Sequence, residues 1–354
     1  MTDQRLFIDI HAIQSVPPSN INRDDTGSPK TAQYGGVVRA RVSSQAWKKA
    51  MRDYFREHGE LRNVGTRTLE VPRYIADEIL KRDDNLTADE AIDRAVKVLN
   101  NAGVSTGKDN RVKALFFIGY QQAQELAEHA VNEDYDKASL KSILKHNTAT
   151  DIALFGRMVA DDPSLNEDAS AQVAHAISTH AVQTEFDYFT GTDDLAPADN
   201  AGAGMLGTIE YNSSTLYRYA NVAAHELVSQ LGDDKDAAIT ALKLFVEAFI
   251  TSMPTGKINT FANQTLPSAV VIVGRSDRPI NLVNAFETPV KSREGYIDKS
   301  IDKLRSEFEK DNKFVESPAF TLTLNVPELQ ESHEAGTFGA LLNDLDEQLR
   351  RNLK

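Results

Sequence analysis

The chain has 354 residues and no cysteine. That excludes a disulfide framework, a thiolate nucleophile and a cysteine-held metal, and makes a reducing cytoplasm the natural setting. No apolar run approaches the roughly 20 residues that span a bilayer. The opening Met1-Thr-Asp-Gln-Arg5 leads into a strand pattern without the apolar core of a secretion signal. A cytoplasmic protein without a membrane partner is expected. The usual catalytic signatures are absent as well: no Gly-rich P-loop, no Gly-x-Ser-x-Gly, no His-Glu-x-x-His and no EF-hand loop. No cofactor is expected. The aromatic motif of RNA-recognition domains is also missing, so bases stacked on an open sheet are not foreseen.

Basic residues are scarce overall, with a net charge of −13, yet they are unevenly placed. Residues 1–67 hold 11 Lys+Arg against 7 Asp+Glu, whereas residues 68–354 hold 28 against 45. Between Arg157 and Arg218 there is no Lys or Arg at all, while Asp161, Asp162, Glu167, Asp168, Glu185, Asp187, Asp193, Asp194, Asp199 and Glu210 lie there. One end is suited to anions and the middle repels them.

What is there concentrates at residues 35–56. Val38, Ala40 and Val42 alternate with Arg39 and Arg41, the period of a strand with one apolar and one basic face. Ser43 and Ser44 end it and offer hydroxyls to a helix start. Trp47, Met51, Tyr54 and Phe55 then share one helical face, and Lys49, Arg52 and Arg56 another. Lys48 and Lys49 stand near the helix N-terminus, where cations are unfavourable unless an anion compensates them. Serine hydroxyls, two lysines and two arginines at a helix start make a phosphate cradle. An ordinary solvated basic face would show the same charge spacing.

The rest of the chain reads as strands alternating with helices. Leu6, Ile8 and Ile10 alternate with Phe7, Asp9 and His11 in a first strand. Residues 14–34, with Pro17-Pro18, Asn20, Asn22-Arg23-Asp24-Asp25, Gly27 and Pro29, read as a long loop. Residues 68–150 are mainly helical, and Thr87-Ala-Asp-Glu90 is a capping box that opens a helix to Asn101. Leu115–Ile118 fits helix or strand. Residues 173–179 read as a strand, with the alanines leaving helix open, 183–206 as a projecting loop, and 206–211 and 215–222 as two strands of a hairpin turning at Asn212-Ser-Ser. A helix over 237–253, a buried strand over 269–273, helices over 292–310 and 338–353 and a strand at 320–324 complete an α+β fold.

Candidate acid groups are Asp24-Asp25 and Asp193-Asp194, and candidate imidazoles are His11, His175 and His180. A metal-assisted nuclease could recruit such groups. Adjacent aspartates point different ways on most backbones, and His175 and His180 have opposite parity on one strand, so loop-forming and packing roles compete with that reading. For backbone binding, Arg23, Arg39, Arg41, Ser43, Ser44, Gln45, Lys48, Lys49 and Arg52 supply cations and donors. Met158, Tyr188, Phe189 and Leu206 are candidate wedges against bases.

Asn22-Arg23-Asp24-Asp25, Gly35-Gly36, Arg41-Val-Ser-Ser-Gln45 with Lys48, Lys49 and Arg52, Asp151-Ile-Ala-Leu-Phe-Gly-Arg-Met158, Ala174-His-Ala-Ile-Ser-Thr-His180, Phe189-Thr-Gly-Thr-Asp-Asp-Leu195, Tyr217-Arg-Tyr-Ala-Asn221 and Asn284-Ala-Phe-Glu287 occur in this order. Together they resemble the CasC (Cse-four) family of backbone subunits of type I-E CRISPR Cascade complexes. The resemblance implies a ferredoxin-like, RNA-recognition-type palm, with a helical fingers insertion at 68–150 and a thumb at 183–215. The palm would comprise 1–67, 151–182 and 216–354. It implies no catalysis. Implied partners are CRISPR RNA, the target DNA strand paired to it, further copies head to tail, and the large, small, repeat-handle-binding and repeat-endonuclease subunits of Cascade. Carried over by position, Asn22, Arg23, Ser43, Ser44, Gln45, Lys48, Lys49 and Arg52 would touch the RNA backbone and Met158 would wedge between bases. Tyr188, Phe189, Thr190 and Leu206 would lie beside a kinked nucleotide, with Tyr188 standing where relatives can carry Trp. The acidic stretch 158–217 is expected to meet basic surface on a neighbouring copy.

Overall fold

The computed structural model describes residues 5–60, 64–191 and 205–353. In chain order the elements are β1 (Phe7–Ser19), β2 (Thr31–Tyr34), β3 (Val37–Val42), α1 (Ser44–His58), β4 (Gly65–Thr68), α2 (Val71–Leu80), α3 (Ala88–Asn101), β5 (Phe116–Gly119), α4 (Tyr120–Val131), α5 (Lys137–Lys145) and α6 (Thr150–Phe155). There follow β6 (Ala171–Val173), β7 (Ala176–Ser178), β8 (Glu185–Gly191), β9 (Met205–Ala223), α7 (Ala224–Gln230), α8 (Lys235–Thr251), α9 (Ile258–Phe261), β10 (Ala269–Arg275), α10 (Ile297–Asp311), β11 (Phe320–Leu324), β12 (His333–Glu334) and α11 (Phe338–Asn352). The mixed α+β class expected from the sequence is the class observed.

The large sheet runs β12-β11-β10-β1-β9-β7-β3-β2, with β6 and β8 also paired to β9. β1 lies at its middle, antiparallel to β10 and β9, with Ile10 opposite Ile272 on one side and Ala220 on the other. Both faces of β1 are covered. Ile8, Ile10, Ala12 and Val16 pack into a core with α1, α7, α8 and α11, while Ile13 joins Tyr217, Tyr219, Leu304 and Phe308 on the α10 side. Helices α2 to α5 hold a core of their own around Ile75, Leu99, Leu126 and Leu144. The capping box is present in full, with Glu90 N–H donating to Thr87 Oγ1 and Thr87 N–H to the Glu90 carboxylate. Of the Leu115–Ile118 stretch, Phe116–Ile118 resolves as strand: β5 pairs with β4 before α4 begins.

Three expectations fail for physical reasons. First, β1 continues past residue 14 to Ser19, and the break in its pairing with β9 falls between Val16 and Ser19. Pro17 and Pro18 occupy that irregularity, where no ladder N–H is required. Second, Asn212-Ser-Ser is not a turn. β9 is one 19-residue strand, and the extended end of β1 gives its middle a ladder partner, Ser19 opposite Asn212 and Val16 opposite Ser214. Third, residues 173–179 are not one strand. β6 pairs Val173 with Ala220 and β7 pairs Ile177 with Tyr217, a one-residue slip that marks a bulge around Ala174-His175.

The buried polar groups of the sheet explain several of the motifs. Asp9 accepts from Tyr219 Oη at 2.7 Å, Asn221 Nδ2 at 3.0 Å and Ile280 N–H at 3.0 Å, with Arg275 Nε 3.6 Å away. Burial pushes its carboxyl up to about 6. His11, within 2.9 Å of Tyr217 Oη, is pushed down to about 3 by burial. On the opposite face Arg218 lies 3.7 Å from the Trp47 ring and donates to Gln14 Oε1 and the Phe249 carbonyl. It thereby seats α1 on the sheet. His180 is buried and stacked 3.7 Å from Tyr296; its Nε2 accepts from Thr215 N–H.

Candidate nucleic-acid interface

Ser43 caps α1: its Oγ accepts from Ala46 N–H at 3.3 Å, and its own N–H donates to Asn22 Oδ1 at 2.8 Å. Asn22 thus ties the 20–30 loop to the helix start. Asp24 shapes that loop by accepting from Thr26 N–H and Ser28 N–H, and Thr26 holds its carboxyl below the usual range. Ser43 is buried, whereas Arg23, Gln45 and Lys49 are exposed and Asn22, Ser44, Lys48 and Arg52 are half-buried.

The helix runs along one wall of a groove of about 740 Å³. Gln45, Lys48, Lys49, Arg52 and Arg56 come from α1, Arg67 from β4, Phe117 from β5, and Phe155 to Met158 from the end of α6. Asp53, Glu167 and Asp168 also line it. The residues of Gly156-Arg157-Met158 have separate tasks. Gly156 turns the chain at φ +78°, with Glu167 O 3.0 Å from where a Cβ would sit. Arg157 points inward, donating to the carbonyls of Leu165, Phe117 and Leu144. Burial pushes its guanidinium down to about 10. Met158, next to that anchor, stands 83% exposed. An exposed thioether held beside a row of cations suits a strand with phosphates on one side and bases on the other.

Arg39 does not belong to this surface. It is fully buried, with its guanidinium donating to the carbonyls of Tyr34 at 3.1 Å, Ser178 at 2.8 Å and Phe286 at 2.8 Å. The expected basic face of β3 is therefore turned inward at Arg39, and Val38 is exposed instead. Gly35, at φ +60°, lets the β2–β3 turn press against Glu287, whose carbonyl would lie 1.7 Å from a Cβ there. These contacts account for Gly35 and the Asn284–Glu287 motif as packing, while Gly36 takes φ +78° in the same turn. Arg41 is half-buried, donating from Nε to Thr31 O and lying 3.1 Å from His175 Nδ1.

Tyr188, Phe189, Thr190 and Leu206 all fall on the β8–β9 hairpin, but on two faces. Thr190 lies opposite Leu206 and Tyr188 opposite Thr208, so these share one face with exposed Phe186. Phe189 lies on the other face with its ring across Gly207, where a Cβ would come within 2.3 Å of a ring carbon. Asp193 and Asp194 lie outside the described residues. Arg56, on the helical stripe of Lys49 and Arg52, joins the groove wall without having been a sequence candidate, and no local sequence signal marks Arg67.

A family model described as CT1975-like protein matches residues 8–348. The chain belongs to the CT1975-like family. Two solved structures are similar to this CT1975-like chain over nearly its whole length. One, titled "CRISPR RNA-guided surveillance complex, pre-nicking", has 32% identity and a TM-score of 0.82, covering 97% of this chain and 100% of that one. Another, titled "CRISPR RNA-guided surveillance complex", has 30% identity and a TM-score of 0.74, covering 96% and 99%. Nothing among the curated proteins matches. Among the described residues, no helix is long and apolar enough to cross a membrane.

Proposed function

We propose that this chain is a CRISPR-RNA-binding backbone subunit of a Cascade-type surveillance complex, of the CasC kind found in type I-E systems. The observation that carries the reading is the groove, which unites Lys48, Lys49 and Arg52 of α1 with Met158, more than 100 residues later, on a fold similar to chains of RNA-guided complexes. The α1 cations hold the RNA backbone, Met158 enters between bases, and the β8–β9 hairpin acts as the thumb. The large sheet is the ferredoxin-like palm and α2 to α5 are the fingers. Copies join head to tail along the guide in the cytoplasm. They present it to target DNA beside the large, small, repeat-handle-binding and repeat-endonuclease subunits. Sequence is read by base pairing and the protein reads geometry, as in other RNA-guided systems.

We read the chain as a binder that does not cut. Asp24, the first carboxylate a nuclease would recruit, is committed to its own turn. A gel-shift titration of a repeat-bearing CRISPR RNA, with and without Mg²⁺, beside a denaturing gel of the same samples, tests this. A ladder of shifts with intact RNA is expected; RNA shortened only with Mg²⁺ would make the chain a ribonuclease of the same fold.

A further inference from the structure

Asp151 is fully buried beside Arg52, which lines the groove. Its Oδ1 accepts from Gly65 N–H at 2.8 Å. Its Oδ2 has no hydrogen-bond partner and lies 3.8 Å from Arg52 Nε, beyond hydrogen-bond reach. Arg52 Nε and Nη2 are themselves buried and unpartnered, and the guanidinium is held 4.4 Å over the Phe117 ring. A buried carboxylate oxygen and two buried guanidinium nitrogens without partners are costly unless something completes them. The guanidinium calls for an oxyanion, and Asp151 alone does not satisfy it.

We propose that Asp151 is a positioning residue that presets Arg52 over Phe117 for a phosphate, and that phosphate binding there is coupled to proton uptake by Asp151. This rests on the reading of the groove as an RNA site. A phosphate drawn to Arg52 places a second negative charge near the carboxylate, and like charges raise proton affinity. By reciprocity, a protonated Asp151 frees the guanidinium and strengthens phosphate binding. The charged and titratable groups on the elements packed around α6 are Lys48, Lys49, Arg52, Asp53, Arg56, Glu57 and His58 of α1, Arg67 of β4, and His225 and Glu226 of α7; β5 and β6 carry none. Burial already pushes Asp151 up to about 7, against the pull of Arg52 and Arg56, so the coupling falls in an accessible range.

Fluorescence anisotropy of a labelled repeat-spacer RNA, at fixed ionic strength from pH 5.5 to 8.5, tests this with the full chain, Asp151→Asn and Arg52→Gln. Asparagine keeps the acceptor for Gly65 N–H. The parent is expected to lose about five- to tenfold in affinity between pH 6 and pH 8. Asp151→Asn should stay flat near the parent's low-pH affinity, and Arg52→Gln should bind more weakly and also flatly. Equal pH slopes in the parent and Asp151→Asn overturn the proposal and leave the RNA reading standing. A parent that binds no RNA at any pH overturns both. Should Asp151→Asn fail to fold, calorimetry of the parent at pH 7 in buffers of different ionisation enthalpy decides: net proton uptake on RNA binding supports the proposal, and none overturns it.

Discussion

Replacing Lys48 and Lys49 together by alanine removes two cations from the groove and leaves Arg52 beside the buried Asp151. Lys49 pairs with Asp53 at 2.5 Å, but the two side chains are 75% and 41% exposed, and such a pair contributes about 0.5 kcal/mol to stability. Lys48 is half-buried, 5.7 Å from the Phe155 ring, and loss of its packed stem adds at most about 1 kcal/mol. The variant should therefore fold. If each lysine neutralises one phosphate of a single strand, the slope of log K against log salt falls by about 1.4. Relative to 1 M salt that is about 25-fold in affinity at 0.1 M, or about 1.9 kcal/mol. Anisotropy titrations of one RNA between about 0.05 and 0.4 M salt, an about eightfold span that resolves such slopes, measure it. A variant with unchanged slope would refute the reasoning even if it bound more weakly, because the lysines would then touch no phosphate.

Three further outcomes follow from individual side chains. Met158→Ala, at an 83% exposed position, should leave thermal stability unchanged and cost about 1–2 kcal/mol in RNA binding; a fluorescent adenine analogue in the guide should lose the unstacked signal that the parent induces. Arg39→Gln should lower stability by about 3 kcal/mol by opening buried carbonyls at Ser178 and Phe286, seen as a fall in Tm, while the RNA salt slope of the folded fraction stays that of the parent. His11 is held well below the ordinary histidine range, so the native chain resists a proton that the unfolded chain accepts. Its contribution is present above pH 6.5 and declines as pH falls towards 3. Measured by denaturant titration, the parent should lose about 2 kcal/mol more than His11→Gln between pH 7.5 and pH 5. Asp9, raised to about 6, works the opposite way below pH 6, and equal losses in both chains would contradict the assignment to His11.

The features that were legible in the sequence are those fixed by neighbours in the chain. The Thr87/Glu90 capping box, the serine cap of α1, the apolar stripe of α8 and the buried run of β10 are each decided within one or two turns. Arg39 was illegible because the carbonyls that capture it belong to Ser178 and Phe286, 139 and 247 residues away. The Asn212-Ser-Ser stretch was misread because its conformation is set by the far end of β1, and the slip at Ala174-His175 because a bulge leaves no compositional mark. The groove itself was half legible. The α1 cations and Met158 stood out separately, but their meeting depends on Gly156 turning the chain and Arg157 anchoring it. Arg67 reaches the wall only because β4 pairs with β5.

The central claim is that copies of this chain coat a guide RNA in register with its length. Mass photometry of the chain mixed with CRISPR RNAs of increasing spacer length tests it most directly. The account predicts that bound copies rise one at a time as the spacer lengthens, on RNA that stays intact. A single copy bound regardless of length would contradict it.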